Sequence, residues 1–149
     1  MIRRLQYRFI EIHVIDKHFP AVADIGSGRS PYTKIIAHDT YISIDKKNCA
    51  EVDNFIEADV SEGIPLKDNS TDLVVLTEVL EHMERPHQML AEIYRVLKPG
   101  GCLLMTTPFV WEVHEAPRDF FRYTRYGISY LLTSNGFTDV QVKETNGYL

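Results

Sequence analysis

The sequence predicts an α/β fold, a doubly wound and mostly parallel sheet with helices on both faces. Three observations carry that reading. Short apolar runs alternate with amphipathic stretches at helical spacing, which is the pattern of βαβ units. Those runs end repeatedly in an acid, at Asp24, Asp45, Asp59 and Glu78. The first run also meets a glycine corner, Gly26-Ser27-Gly28, where such sheets bind ligands beyond the carboxyl ends of their strands.

Taken in order, Leu5, Phe9, Ile12, Ile15 and Phe19 recur at helical spacing and predict an N-terminal helix within 1–20, ended by Pro20. Ala21-Val22-Ala23-Asp24-Ile25 predicts a buried strand entering the corner. Ser30-Pro31, a cap followed by proline at the first helical position, predicts a short helix reaching about His38. Tyr41 to Ile44, closed by Asp45, and Phe55 to Ala58, ended by Asp59, predict the second and third strands. Asp72 to Thr77 is the clearest buried strand. Met89, Leu90, Ile93 and Leu97 predict a helix from Pro86 to Lys98, stopped at Pro99-Gly100-Gly101. Cys102 to Thr107 predicts a fifth strand, followed by a polar and aromatic loop from Pro108 to Tyr123. Thr124 caps a helix ending at Asn135-Gly136, and Val140 and Val142 alternate as a last strand.

No repeat or linker divides the chain, so 1–149 reads as one domain, long enough to bury a real core. A hydrophobic fraction of 44% and a charged fraction of 25% are ordinary for a globular chain. No apolar run approaches spanning length, so no transmembrane helix is expected. Arg3 and Arg4 precede a stretch interrupted by Arg8, Glu11 and Asp16, unlike a secretory signal. Cys49 and Cys102 stand alone and read as free thiols of a reducing, cytoplasmic setting. The net charge of −5 argues against broad nucleic-acid binding.

Gly26 and Gly28 let the backbone turn tightly and approach a ligand closely. Asp45, one strand later, is placed to accept hydrogen bonds from both hydroxyls of a ribose. Together they suggest an adenosine-containing ligand. A dinucleotide fingerprint would want a third glycine near Pro31, and its absence points away from NAD.

These residues resemble, in order, the signatures of class I S-adenosylmethionine-dependent methyltransferases of the type 11 group. Asp24-Ile25-Gly26-Ser27-Gly28 is similar to their glycine motif, Ile44-Asp45 to their ribose-binding acid and Ala58-Asp59-Val60 to their adenine-contacting segment. Thr71 to His82 resembles their fourth-strand signature, and Arg95 to Gly101 their helix-to-strand corner. The similarity runs from about Ala21 to Phe137. It implies a Rossmann-like fold, with 21–107 as cofactor-binding core and 108–149 as the acceptor side. It further implies S-adenosylmethionine as cofactor, S-adenosylhomocysteine as product, and a cofactor site of Asp24, Gly26, Ser27, Gly28, Asp45, Lys46, Asp59, Val60, Thr77 and Glu78. The family finishes on two antiparallel strands, and too few residues follow Gly136 for both. The final antiparallel strand is therefore expected to be missing, through truncation in the first place, or because a partner chain completes the sheet or the fold ends differently. The open edge it leaves could pair two copies in a homodimer.

Methyl transfer is an in-line displacement that needs an aligned acceptor, a water-poor pocket and sometimes a base. The loop after the fifth strand should overhang the methyl group. Its His114 is the first candidate base. Phe109, Trp111, Phe120 and Tyr123 supply possible apolar walls. Arg118, Arg122 and Arg125 could recognise an anionic acceptor, or equally pair with Glu112, Glu115 and Asp119. Trp111, Arg118, Arg122 and Tyr123 are taken as the acceptor set. Glu78, Glu81 and His82 have the spacing to converge on a divalent ion with His114. That constellation resembles the metal site of small-RNA 3′-terminal 2′-O-methyltransferases, yet Glu-x-x-Glu-His is also similar to an element of metal-free type 11 enzymes, and the expectation is no metal. The expected function is methyl transfer to a small molecule. The alternatives are a non-catalytic cofactor-binding module and a metal-assisted RNA 2′-O-methyltransferase.

Overall fold

The computed structural model describes residues 2–49 and 52–144, with side chains from Arg4 onward. Five strands pair in the order β3-β2-β1-β4-β5: β1 (His18–Ile25), β2 (Ala37–Asp45), β3 (Phe55–Glu57), β4 (Thr71–Thr77) and β5 (Leu97–Thr106). Every pairing is parallel. The order reverses between β1 and β4, so the switch point, and with it the binding crevice, lies beyond Ile25 and Thr77.

Both faces of the sheet are covered, which is why β4 is apolar at Leu73, Val74, Val75 and Leu76 in succession. On one face, α1 (Ile2–Val14) lays Ile10 and Val14 over Val22, Tyr41, Leu73, Val75 and Leu104. On the other, α2 (Pro86–Val96) and α3 (Arg125–Ser134) pack Leu90, Ile93, Leu131 and Leu132 over Ala23, Ile25, Ile44, Val74 and Leu76. Proline opens α2 at its first turn. Thr124 caps α3 as the sequence predicts, its hydroxyl oxygen accepting from Gly127 N at 3.0 Å.

Several element boundaries differ from expectation. The first helix ends at Val14 and not at Phe19, because Asp16 takes a left-handed conformation (φ 58°) and Ile12 and Ile15 face solvent at 56% and 62% exposure. Pro20 lies inside β1 and terminates nothing. The register with β2 runs through Phe19↔His38 and Ala21↔Thr40 and passes over Pro20, the gap that its missing N–H makes. The helix predicted from Pro31 to His38 is a series of turns, and β2 already starts at Ala37. Ser30 does not cap it. Ser30 stands at φ 46°, and its hydroxyl meets the Ser43 hydroxyl at 2.7 Å. Helix α2 stops at Val96, and Leu97 to Gly101 belong to β5, with a register slip between Thr71 and Leu73. Val140 and Val142 form no strand; they pack as half-buried plugs against the core below α3.

No strand pairs with the outer edge of β5 among the described residues, and no antiparallel pair occurs there. The edge lines a groove of about 1250 Å³ shared with Leu5 and Phe9 of α1, Ile128 and Leu132 of α3, and Val140 and Val142.

Candidate active site

The backbone after β1 is fixed twice by β2. Gly26 N and Ser27 N both donate to the Ile44 carbonyl, at 2.8 and 3.2 Å. Gly26 has φ 67°, and a Cβ there would lie 2.4 Å from Val79 Cγ2, so only glycine lets the corner close against the turn after β4. Gly28, at φ 52°, faces open space instead. Its N–H donates to Asp45 Oδ2 at 2.8 Å, while Lys46 N reaches Oδ1 at 2.6 Å. Lys46 Nζ in turn lies 2.9 Å from Asp59 Oδ2. The glycine corner, Asp45 and Asp59 therefore occupy one continuous rim, with Val60 buried behind it.

Beyond β4, Thr77 Oγ1 accepts from Tyr32 OH at 3.4 Å. Glu78 is left-handed (φ 53°), and its Oε1 accepts from the Thr106 hydroxyl at 2.9 Å. A charged residue held in that conformation belongs to the class of local strain that concentrates at functional sites.

Charges around the rim differ sharply in character. Asp24 is buried beneath the corner. Its Oδ2 accepts from Tyr41 OH at 2.7 Å and its Oδ1 has no partner. Burial pushes its carboxyl up to about 7, the Tyr41 bond pulls the other way, and the charge of Asp45 adds to the rise. Asp59 is the opposite case: the Ser61 hydroxyl, Lys46 and Arg118 hold it well below the usual carboxylate range. The Ser27 hydroxyl is buried without a partner. An orphaned hydroxyl, the space over Gly28 and the carboxylates of Asp45 and Asp59 suit a ligand carrying a cationic amino-acid end, a ribose diol and an exocyclic amine.

The loop from 108 to 123 reaches over this rim. Phe120 N and Phe121 N donate to the Glu81 carbonyl at 2.9 and 3.2 Å, tying the loop to the 3₁₀ turn Leu80–His82. Tyr123 OH donates to the Leu80 carbonyl at 3.3 Å. Arg118, expected to face an acceptor, instead bonds Asp59 and the Ser61 hydroxyl, each at 3.2 Å. Arg122 is likewise engaged: it grips both Asp119 oxygens at 2.6 and 2.8 Å and the carbonyls of Trp111 and Glu112. Both arginines hold the loop. Trp111 is half exposed on its outer side.

His114 stands on Asp119, whose Oδ2 accepts from His114 N at 2.9 Å and lies 3.4 Å from Nδ1. Its Nε2 lies 3.8 Å from Glu81 Oε1, and His82 Nε2 approaches the same oxygen at 3.7 Å. Glu81 is fully buried, and burial raises its carboxyl to about 8, with the charge of Glu78 adding to the rise. Glu78 itself is committed to Thr106 and stands apart from the cluster, so the four residues singled out by spacing reduce to three. Asp119, which orients His114, is a site residue that the sequence alone does not mark. Its signal was the acid three places before Arg122, compatible with a structural ion pair alone.

Residues 23–105 match the family model described as a methyltransferase domain. Among curated relatives, the chain is 47% identical over 45 residues to a Mycolicibacterium smegmatis protein named "Probable S-adenosylmethionine-dependent methyltransferase", covering 30% of this chain and 18% of that one. It is 31% identical over 103 residues to dimethylglycine N-methyltransferase of Parasynechococcus marenigrum, covering 58% of this chain and 37% of the relative. The chain thus spans well under half the length of these two proteins. A SAM-dependent methyltransferase from Archaeoglobus fulgidus superposes with a TM-score of 0.70 at 22% identity, over 93% of this chain and 68% of that one, a likeness of fold.

Proposed function

The chain belongs to the type 11 group of class I S-adenosylmethionine-dependent methyltransferases, and on that premise we propose that it catalyses methyl transfer to a small-molecule acceptor with an apolar part. The observation that carries this is the shared rim, on which Gly28 N, Asp45 and Lys46 link the glycine corner to Asp59. Gly26, Ser27 and Gly28 would receive the methionine end of the cofactor. Asp24 would support them from below, Asp45 and Lys46 would hold the ribose, and Asp59 and Val60 would frame the adenine. Thr77 and Glu78 would floor the site at the sulfur. When bound, S-adenosylmethionine supplies a methyl group on a sulfonium that departs as the neutral thioether of S-adenosylhomocysteine.

The chain's own contribution is alignment, exclusion of water and removal of one proton. His114 Nδ1 faces the Glu112 carbonyl at 3.2 Å and Asp119, which leaves Nε2 to take that proton from the acceptor. Trp111 and Tyr123 flank the acceptor. An apolar acceptor is supported by the exposed side chains of Phe109, Val110, Trp111 and Val113 on the overhanging loop. The net charge of −5 weighs against tracking a phosphate backbone, which favours a small molecule over RNA. No helix among the described residues is long and apolar enough to cross a membrane. Free thiols at Cys49 and Cys102 support a cytoplasmic setting. Two copies would associate along the edge of β5 that no strand covers among the described residues, and a concentration-independent monomer mass in light scattering refutes that part.

The cofactor reading is tested by a thermal-shift screen with S-adenosylmethionine, S-adenosylhomocysteine and NAD. A ligand selective for the native state raises the melting temperature. The first two should do so and NAD should not, and Asp45→Ala should remove the effect. A shift with NAD alone, or none with either adenosyl compound, overturns the proposal.

A further inference from the structure

Among the described residues, a buried carboxyl and two imidazole nitrogens converge behind the acceptor loop without a hydrogen bond between them. Glu81 is 0% exposed, and neither carboxylate oxygen has a hydrogen-bond partner. His82 Nδ1 is directed at the Arg118 carbonyl, and His114 Nδ1 at the Glu112 carbonyl and Asp119. A carbonyl or carboxylate can only accept, so in the neutral form each ring carries its proton on Nδ1. Both Nε2 atoms then present lone pairs toward Glu81 Oε1, at 3.7 and 3.8 Å. The two rings meet edge to face, 4.8 Å between centroids. An acidic rim residue, Glu115, places Oε2 3.9 Å from His82 Nε2.

We propose that Glu81, His82 and His114 form a binding site for one divalent transition-metal ion of the zinc class. Ligand atoms of all three lie within 4.8 Å of one another, so small rotations bring them to bonding distance around a common centre. Two imidazoles and one carboxylate suit zinc better than magnesium, which prefers oxygen ligands and retains its water. The outer partners are already in place: a carbonyl on His82, and a carbonyl and a carboxylate on His114, fix the rings with Nε2 inward. Three protein ligands leave at least one position open. An acceptor oxygen bound there would lose its proton because the ion lowers its pKa, and His114 would act as ligand in place of base. The ligand set uses no residue of the cofactor rim, whereas its role in deprotonating an acceptor rests on the proposed methyl transfer.

The test is equilibrium dialysis of the chelator-treated full chain against Zn²⁺, with Mg²⁺ in parallel. Cys49→Ser/Cys102→Ser serves as background, so that the exposed thiols do not contribute. One equivalent of zinc should be retained and magnesium should not. His114→Ala, on the half-buried loop, and Glu81→Gln should each weaken zinc by more than the roughly 10- to 100-fold that outer-shell partners cost. Circular dichroism checks that both variants fold. No retained zinc, or zinc binding unchanged in the folded His114→Ala variant, overturns the proposal. The thermal shift with S-adenosylhomocysteine, measured on the same preparations, reports the cofactor site separately, so loss of one reading is distinguishable from loss of both.

Discussion

Asp24 beneath the glycine corner offers a quantitative test of the site's electrostatics. Its carboxyl is raised from an ordinary 3.8 to about 7, chiefly by burial, while the Tyr41 hydroxyl bonds one oxygen and the other has no partner. Between those two values the unfolded chain has released a proton that the native state still holds. The native state binds more protons there, so this residue's contribution to stability falls as pH rises from about 4 to about 7. A gap of roughly three units at about 1.4 kcal/mol each sets an upper bound near 4 kcal/mol. Asparagine reproduces the protonated carboxyl: its oxygen still accepts from Tyr41, and it never charges. Urea denaturation of wild type and Asp24→Asn without cofactor should give similar stabilities near pH 4. By pH 8 the variant should be the more stable by a few kcal/mol. Parallel pH profiles would refute the claim that ionising Asp24 costs stability, and a variant that loses ground as pH rises would reverse its sign.

Other outcomes follow from the same geometry. Gly26→Ala should destabilise by about 2–5 kcal/mol in thermal or chemical denaturation, combining left-handed strain with a contact at 2.4 Å to Val79. Gly28→Ala meets no atom within 4 Å, so its cost should stay near the 1–2 kcal/mol of the backbone term while S-adenosylhomocysteine affinity falls. His114→Gln should lower kcat by at least about 10²-fold with the S-adenosylhomocysteine dissociation constant unchanged, measured by calorimetry. Arg122→Ala, which leaves Asp119 unpaired and the loop untied from Trp111 and Glu112, should cost about 10²-fold in kcat/KM with cofactor binding retained.

Much of this arrangement was legible in the chain because strand-end acids and apolar runs are local signals. Asp45 and Asp59 mark the rim by their place at the end of β2 and just past β3, and the unbroken apolar run Leu73 to Leu76 signals a strand covered on both faces. The boundaries were less legible where one residue type serves two periods. Phe19 satisfies the helical spacing of α1, yet it lies in β1, and Ser30-Pro31 reads as a cap until Ser43 arrives from the neighbouring strand. Val140 and Val142 alternate as a strand would, but alternation cannot tell whether a ladder partner exists. The acceptor side was least legible, since the partners of Arg118 and Arg122 depend on how the loop folds back. Arg118 pairs with Asp59, 59 positions away in sequence, and no spacing rule connects them.

The placement of α1 constrains the order in which the molecule can assemble. Ile10 and Val14 share a cluster with Leu73, Val75 and Leu104, supplied by β4 and β5. Helix α1 is synthesised ahead of β4 and β5, so it has no complete surface to dock on until Leu104, roughly 90 positions after Val14, has followed it. Closing contacts of that sequence separation slows folding, and meanwhile an apolar stripe stays in water. Helix α1 is therefore made well before the surface that buries its apolar stripe, and a chaperone that reads nascent apolar helices would find a target there.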